Sequence, residues 1–187
     1  MIRETIVVTV NAEGRAHIAP LGLISEGPHW IIAPFRPSTT LDNLGAHPYA
    51  TANLTDDARV FAGCLTGRRD WPLVPTRPDR PPRLAQTLAH WALEVVETRE
   101  HAERPRFVCR VANAETHAPF EGFNRAFAAV VEAAVLASRL DRAPRSEIEA
   151  EFARLRVIVG KTAGPREAEA FGWLEAKLAA HGGARCK

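Results

Sequence analysis

Short apolar runs rich in β-branched residues and broken by turn signals fill much of the first two thirds of the chain, and apolar positions recur every third or fourth residue from position 121 onward. The first pattern belongs to strands, the second to amphipathic helices. "ETIVVTV" (4–10) is rich in β-branched residues and is followed by the turn signal "NAEG"; "RAHIAPLGLIS" (15–25), the turn "EGP" and "HWIIAPF" (29–35) come next. "PYATANLT" and "RVFAGCL" read as further extended segments separated by "DDA". Short strands at this spacing predict an antiparallel barrel or sandwich. "LAQTLAH" (84–90) reads as a short helix leading into "WALEVVETR". The alternation of Phe107, Cys109 and Val111 predicts a hairpin of residues 91–99 and 106–115, with Cys109 a small core residue.

Beyond residue 121, Phe123, Phe127, Val130, Val131, Ala134 and Ser138 fall on one helical face. "SEIE" (146–149) reads as a capping box with Ser146 at the N-cap, and Ile148, Phe152, Leu155 and Val159 form the stripe of the helix behind it. Pro165 suits the first turn of a third helix, with stripe Phe171, Leu174 and Leu178 and stop at Gly182. The expected class is therefore α+β: a β-rich domain over residues 1–118, then a three-helix C-terminal domain over 119–187.

Composition narrows the picture. In 187 residues, 24 basic side chains are nearly matched by 22 acidic ones, which argues against nucleic acid as the main partner. Cys64, Cys109 and Cys186 are odd in number and form no CxxC pair, so no disulfide framework is expected. "MIRETIVVTV" is too short and charged for a signal peptide, and "AFAAVVEAAVLA" is too short for a membrane span. The expected location is the cytoplasm, with no membrane partner. Residues 68–83, "RRDWPLVPTRPDRPPR", hold five prolines and five arginines and read as a surface excursion or a basic arm.

Candidate chemistry is sparse. The seven histidines fall singly, with no HExxH and no cysteine nearby, so no metal site is expected. There is no GxSxG, and Asp56 and Asp57 in "TDD" read as a turn. "PFRPSTTLDNL" (34–44) is more informative. Arg36, Ser38, Thr39, Thr40 and Asn43 stand together at the entry of a short helix. Hydroxyls, a guanidinium and helix N–H groups make a phosphate cradle, yet the same residues also make an ST-turn and N-cap. Spacing alone leaves both readings open.

"HIAPLGL", "PFRPSTTLDNL" and "ATANLTDD", in that order after a strand–turn–strand opening, resemble the FMN-binding split-barrel superfamily of flavin reductase-like proteins. The closer resemblance is to a family of unknown function within it, known mainly from archaea and methylotrophic bacteria. The helical part matches that family in "GFNRAFAAVVEAAVLASRL" and in "VGKTAG" followed by "EAEAF". The resemblance implies a split barrel that binds FMN near a homodimer interface. It implies that Arg36, Ser38, Thr39, Thr40 and Asn43 hold the phosphate. Ala19, Pro20, Leu21 and Gly22 would then lie against the isoalloxazine edge, and Asn53 would hydrogen-bond the ring. The implied activity is an oxidoreductase with a small-molecule substrate. The alternatives are a noncatalytic FMN-binding protein and a component of pterin-linked one-carbon metabolism. Arg125 and Lys161, in the helical motifs, are expected by default in structural ion pairs, the alternative being a secondary role near the cofactor or a bound substrate.

Overall fold

The structure is a computed structural model that describes residues 1–183; Cys186 lies outside them. Two compact units are formed, one from Met1–Thr55 with Trp71–Phe120, the other from Asp56–Asp70 with the chain from Glu121.

The first unit is a closed antiparallel barrel. Its strands are β1 (Ile2–Val10), β2 (Ala16–Glu26), β3 (His29–Ile32), β4 (Tyr49–Leu54), β7 (Ala89–Arg99) and β8 (Arg106–Thr116), in the order β1-β2-β3-β8-β7-β4. Pairing of β1 with β4, Val7 opposite Ala52, closes the ring and leaves no bare edge. The β1–β2 turn forms because Asn11 Oδ1 accepts the N–H groups of Glu13 and Arg15, while Gly14 takes φ +75° at no steric cost. Val7, Leu23, Ile32, Ala50, Ala52, Leu93, Phe107 and Cys109 fill the interior, joined by Leu44 of helix α1 (Thr39–Ala46). Trp30 and Trp91 pack at its margin with ring centroids 5.1 Å apart. Each fully buried Leu or Ile contributes about 1.5–3 kcal/mol, so this interior dominates the stability of the barrel.

The expected hairpin is present, with two shifts in register between β7 and β8. Leu93 pairs with Val111 while Ala92 pairs with Asn113, so Ala112 is the extra residue of a bulge. Inward alternation therefore holds at Phe107 and Cys109 and ends there; Val111 is exposed. "LAQTLAH" is not a helix. Its first residue, Leu84, ends the two-residue strand β6 (Arg83–Leu84), which pairs with β5 (Leu73–Val74), and its last two residues enter β7. Leu88 N–H donates to Leu54 O, and Thr87 Oγ1 donates to the carbonyls of Leu54 and Ala89. Tertiary hydrogen bonds override its helix propensity.

The second unit corrects another strand. "RVFAGCL" lies in helix α2 (Ala58–Leu65), capped by Asp57, whose Oδ1 accepts Arg59 N–H at 3.0 Å. Val60 to Cys64 are all buried, so no polar position marks a period in that run. Three helices follow: α3 (Arg125–Ala137), α4 (Arg145–Thr162) and α5 (Pro165–Gly183). Phe123 is 98% exposed and precedes α3, whose cap is Asn124; the buried face is Ala126, Ala129, Val130, Ala133, Ala134 and Ala137. Phe127 is half-buried and meets Phe61 edge-on at 5.8 Å, Val131 is half-buried, and Ser138 is the exposed C-cap. Ser146 is not the N-cap of α4. Pro144 holds that place without a side-chain bond, and the start is supported by the Arg145–Glu149 ion pair. The stripe Ile148, Phe152, Leu155 and Val159 is buried as expected. Pro165 opens α5, where Glu167 Oε2 accepts Gly164 N–H at 2.8 Å, and the helix runs one residue past Gly182. Among the described residues no helix is long and apolar enough to cross a membrane.

Candidate functional site

Helix α1 begins at the sequence motif because Ser38 turns extended and its Oγ accepts Leu41 N–H. The loop before it is braced by the β7–β8 connection. Arg36 N–H donates to Glu103 O at 2.8 Å, and the Arg104 guanidinium donates to Ala33 O while lying over the Phe35 ring. This places Arg36, Ser38 and Thr39 at one solvent-accessible end of α1, where the first N–H groups of a helix lack intrahelical acceptors. Thr40 and Asn43 lie on the buried side of the same helix. Asn43 Nδ2 donates to Thr9 Oγ1 at 2.9 Å, tying α1 to β1. Five residues that the sequence groups together thus divide into an exposed anion-competent set and a buried anchoring pair.

Arg36 borders a pocket of about 520 Å³ lined also by Asp42, Gly45, Thr98, Glu100 and Phe107. Its Nη2 lies 3.2 Å from Glu100 Oε2, with the two side chains 46% and 79% exposed. So exposed a pair contributes about 0–1 kcal/mol, and Arg36 can be drawn to an anion at little cost.

Ala19, Pro20, Leu21 and Gly22 lie in β2, opposite Val7, Ile6, Thr5 and Glu4 of β1, and all four are half-buried. A Cβ on Gly22 would stand 2.7 Å from Ile2 Cγ2, so the small residue there makes room for a neighbour within the barrel. Asn53 is fully buried. Its Nδ2 donates to Ile6 O at 3.0 Å and its Oδ1 accepts Leu84 N–H at 2.8 Å, so the amide fastens β6 to the barrel wall. Arg125 opens α3 and Lys161 lies in the last turn of α4, where it complements the helix dipole. Neither makes an ion pair among the described residues.

The proline- and arginine-rich segment is pinned to the barrel. Thr51 Oγ1 and Thr76 Oγ1 both donate to Pro81 O, and the Arg80 guanidinium lies 3.4 Å above the Tyr49 ring. Arg83 donates to the carbonyls of Leu84 and Ala85.

One cluster escapes linear reading. The β7–β8 register sets His90 opposite Glu115, and His117 follows two residues on. His90 Nδ1 lies 2.8 Å from His117 Nε2, and Asn113 Nδ2 donates to Glu115 Oε1 at 2.7 Å. His90 is 2% exposed, and burial pushes its imidazole pKa below the usual range. Histidines 27 residues apart look single until the hairpin is extended by one pair at its open end.

Comparison with known proteins bears on this geometry. The model of "protein of unknown function (DUF447) N-terminal domain" matches residues 3–118, and that of "protein of unknown function (DUF447)" matches 124–176. No curated protein matches the chain in sequence. Among solved structures, an FMN-bound DUF447 protein of Methanosarcina mazei superposes with a TM-score of 0.81 at 20% identity, covering 94% of each chain. An FMN-binding protein of Thermus thermophilus with bound p-hydroxybenzaldehyde gives 0.53 at 18% identity, covering 66% of this chain and 77% of that one. The NADH:FAD oxidoreductase of Streptomyces globisporus gives 0.50 at 17% identity, covering 61% and 75%. The barrel shares the split-barrel fold of these proteins, three helices lie in the C-terminal part of the chain, and the chain belongs to the DUF447 family.

Proposed function

We propose that this chain is an FMN-binding flavoprotein acting as an oxidoreductase of the flavin reductase-like type on a small-molecule substrate, and that it works as a homodimer. The observation that carries the reading is the end-to-end likeness to an FMN-bound member of the same family. The donor set at α1 fits the cofactor's phosphate: a guanidinium held only by an exposed carboxylate, two hydroxyls and the positive end of a helix. Arg36, Ser38 and Thr39 hold the dianion in this proposal. Asn43 ties α1 to β1, with Thr40 buried on the same helix, and Asn53 keeps β6 in place. Ala19 to Gly22 offer small side chains and backbone beside the ring edge.

FMN would supply hydride or electron transfer, which accounts for a site without an evident protein acid, base or nucleophile. The chain's own part is binding, orientation and exclusion of water. The test is anaerobic titration of purified protein with FMN, then with NADH or NADPH, followed at the flavin absorption bands. Saturable binding and bleaching support the oxidoreductase. Binding without bleaching by either donor reduces the proposal to a noncatalytic FMN carrier, and absence of binding overturns it. Light scattering that shows only a monomer at micromolar concentration contradicts the homodimer.

A further inference from the structure

The His90–His117–Glu115 cluster lies at the open end of the β7–β8 hairpin and takes no part in the flavin reading. Its three donor atoms, two imidazole nitrogens and a carboxylate oxygen, all lie within 4.8 Å of one another. We propose that His90, His117 and Glu115 form a binding site for a divalent transition-metal ion, with zinc(II) the ion that their two-nitrogen, one-oxygen donor set fits best.

The two rings are inclined by only 3°, with centroids 5.1 Å apart and facing nitrogens 2.8 Å apart. A centroid separation that exceeds the N···N distance by one ring radius on each side means that the rings lie in one plane, edge to edge. Two lone pairs then point at each other, and a single proton between them makes an N–H···N bond. A metal ion, bound at roughly 2.0–2.1 Å from each nitrogen, replaces that proton only once the His117 ring has swung away from the His90 ring. Glu115 and His117 are exposed, so the ring of His117 can turn and the carboxylate can close on the ion without moving the barrel. His90 is buried and faces His117 through Nδ1, the atom it would offer the ion.

The surroundings are built as outer partners of a metal site usually are. The Asn113 amide holds Glu115 Oε1, and His117 N–H donates to Leu88 O at 2.7 Å, fixing the backbone that carries the ring. The cationic Arg83 is turned toward the carbonyls of Leu84 and Ala85. Three protein ligands leave a fourth position for water, the arrangement of an open zinc site. Bound there, the ion would clamp the ends of β7 and β8 where the chain leaves the barrel.

The experiment is isothermal titration of the tag-free protein with zinc chloride, repeated after Cys186→Ser so that binding to that thiol is not counted. The expected result is one equivalent bound with micromolar or tighter affinity and a higher melting temperature with the metal. His117→Ala and Glu115→Gln, both at exposed positions, should each weaken binding by at least about 10-fold, and Asn113→Ala by roughly 10-fold as an outer partner. His29→Ala, elsewhere on the barrel, should change nothing. No saturable binding, or binding insensitive to His117→Ala and Glu115→Gln, overturns the proposal and leaves a proton-sharing histidine pair. Binding that disappears with Cys186→Ser overturns it equally. None of these readouts involves the flavin.

Discussion

Replacing Asn53 by alanine separates a structural strap from a flavin ligand. The side chain is wholly buried, and its amide joins three segments: β4, which carries it, β1 through Ile6 O, and β6 through Leu84 N–H. Alanine leaves the Leu84 N–H buried without its acceptor, at about 1–3 kcal/mol, and removes a donor to Ile6 O worth about 1 kcal/mol. The sum is roughly 2–4 kcal/mol, a large share of the stability of an ordinary domain. With a urea dependence of about 2 kcal/mol per molar, the midpoint should fall by roughly 1–2 M. Asn53→Asp should do no better at neutral pH. It keeps the acceptor for Leu84 but turns the donor into a second acceptor aimed at Ile6 O, with a buried charge. The assay is urea unfolding of the flavin-free protein by circular dichroism and by tryptophan fluorescence, to which Trp30 and Trp91 of the same barrel contribute. An Asn53→Ala protein with an unchanged midpoint but weakened FMN binding would refute the reasoning and return Asn53 to the flavin.

Three further predictions concern the rest of the chain. Phe152→Ala should cost about 3–5 kcal/mol, because the ring is fully buried against Phe171 at 5.8 Å; calorimetry checks this, and an unchanged transition contradicts the packing. Burial pushes the Cys64 thiol up to about 11 and Cys109 to about 12, so at pH 8 about one Cys64 in a thousand is thiolate. Both should resist Ellman's reagent until urea unfolds the protein, and rapid reaction of either in the native state would contradict that burial. The Arg99 hydrogen bond, helped by the charges of Arg99 and Arg106, holds Glu26 below 4.5. A lowered folded-state pKa gives stability that is present above the unfolded value and lost as pH falls through the folded one. Glu26→Gln should therefore show a smaller drop in melting temperature than wild type between about pH 7 and about pH 3, and equal drops would contradict the linkage.

Much of this architecture is legible because single-face burial leaves a period in the sequence. β1 and β2 are legible from their β-branched and apolar runs bounded by turn signals, and α4 and α5 show their stripes, since each helix has one wet side. "RVFAGCL" misleads because five successive residues are buried and no solvent face interrupts them; its helical signal is the Asp57 cap. Phe123 misleads in the opposite way, being apolar, in phase with α3, and outside it. Ser146 matches a capping box in letters, but the helix begins at Arg145, which puts that hydroxyl inside the first turn. For the site, the entry to α1 is legible as a motif, while the division of its residues into exposed and buried is set by how α1 sits against β1. Asn53 belongs to β4, but its engagement by Leu84 depends on a strand 31 residues away in sequence. The histidine cluster follows from strand register, which no local pattern specifies when a hairpin carries bulges.

The most direct measurement for the central claim is a paired titration of FMN and riboflavin, by quenching of flavin fluorescence, on wild type, Arg36→Ala and Thr39→Val, with a thermal melt of each as control. A charge-assisted bond to the phosphate is worth about 1.5–3 kcal/mol and a neutral one about 1. Arg36→Ala should thus weaken FMN by about one to two orders of magnitude, and Thr39→Val by less. Riboflavin, which lacks the phosphate, should bind wild type poorly and be nearly indifferent to Arg36→Ala, with the melts unchanged. Equal losses for both flavins, accompanied by a lower melting temperature, would contradict the account and leave the α1 entry a capped turn.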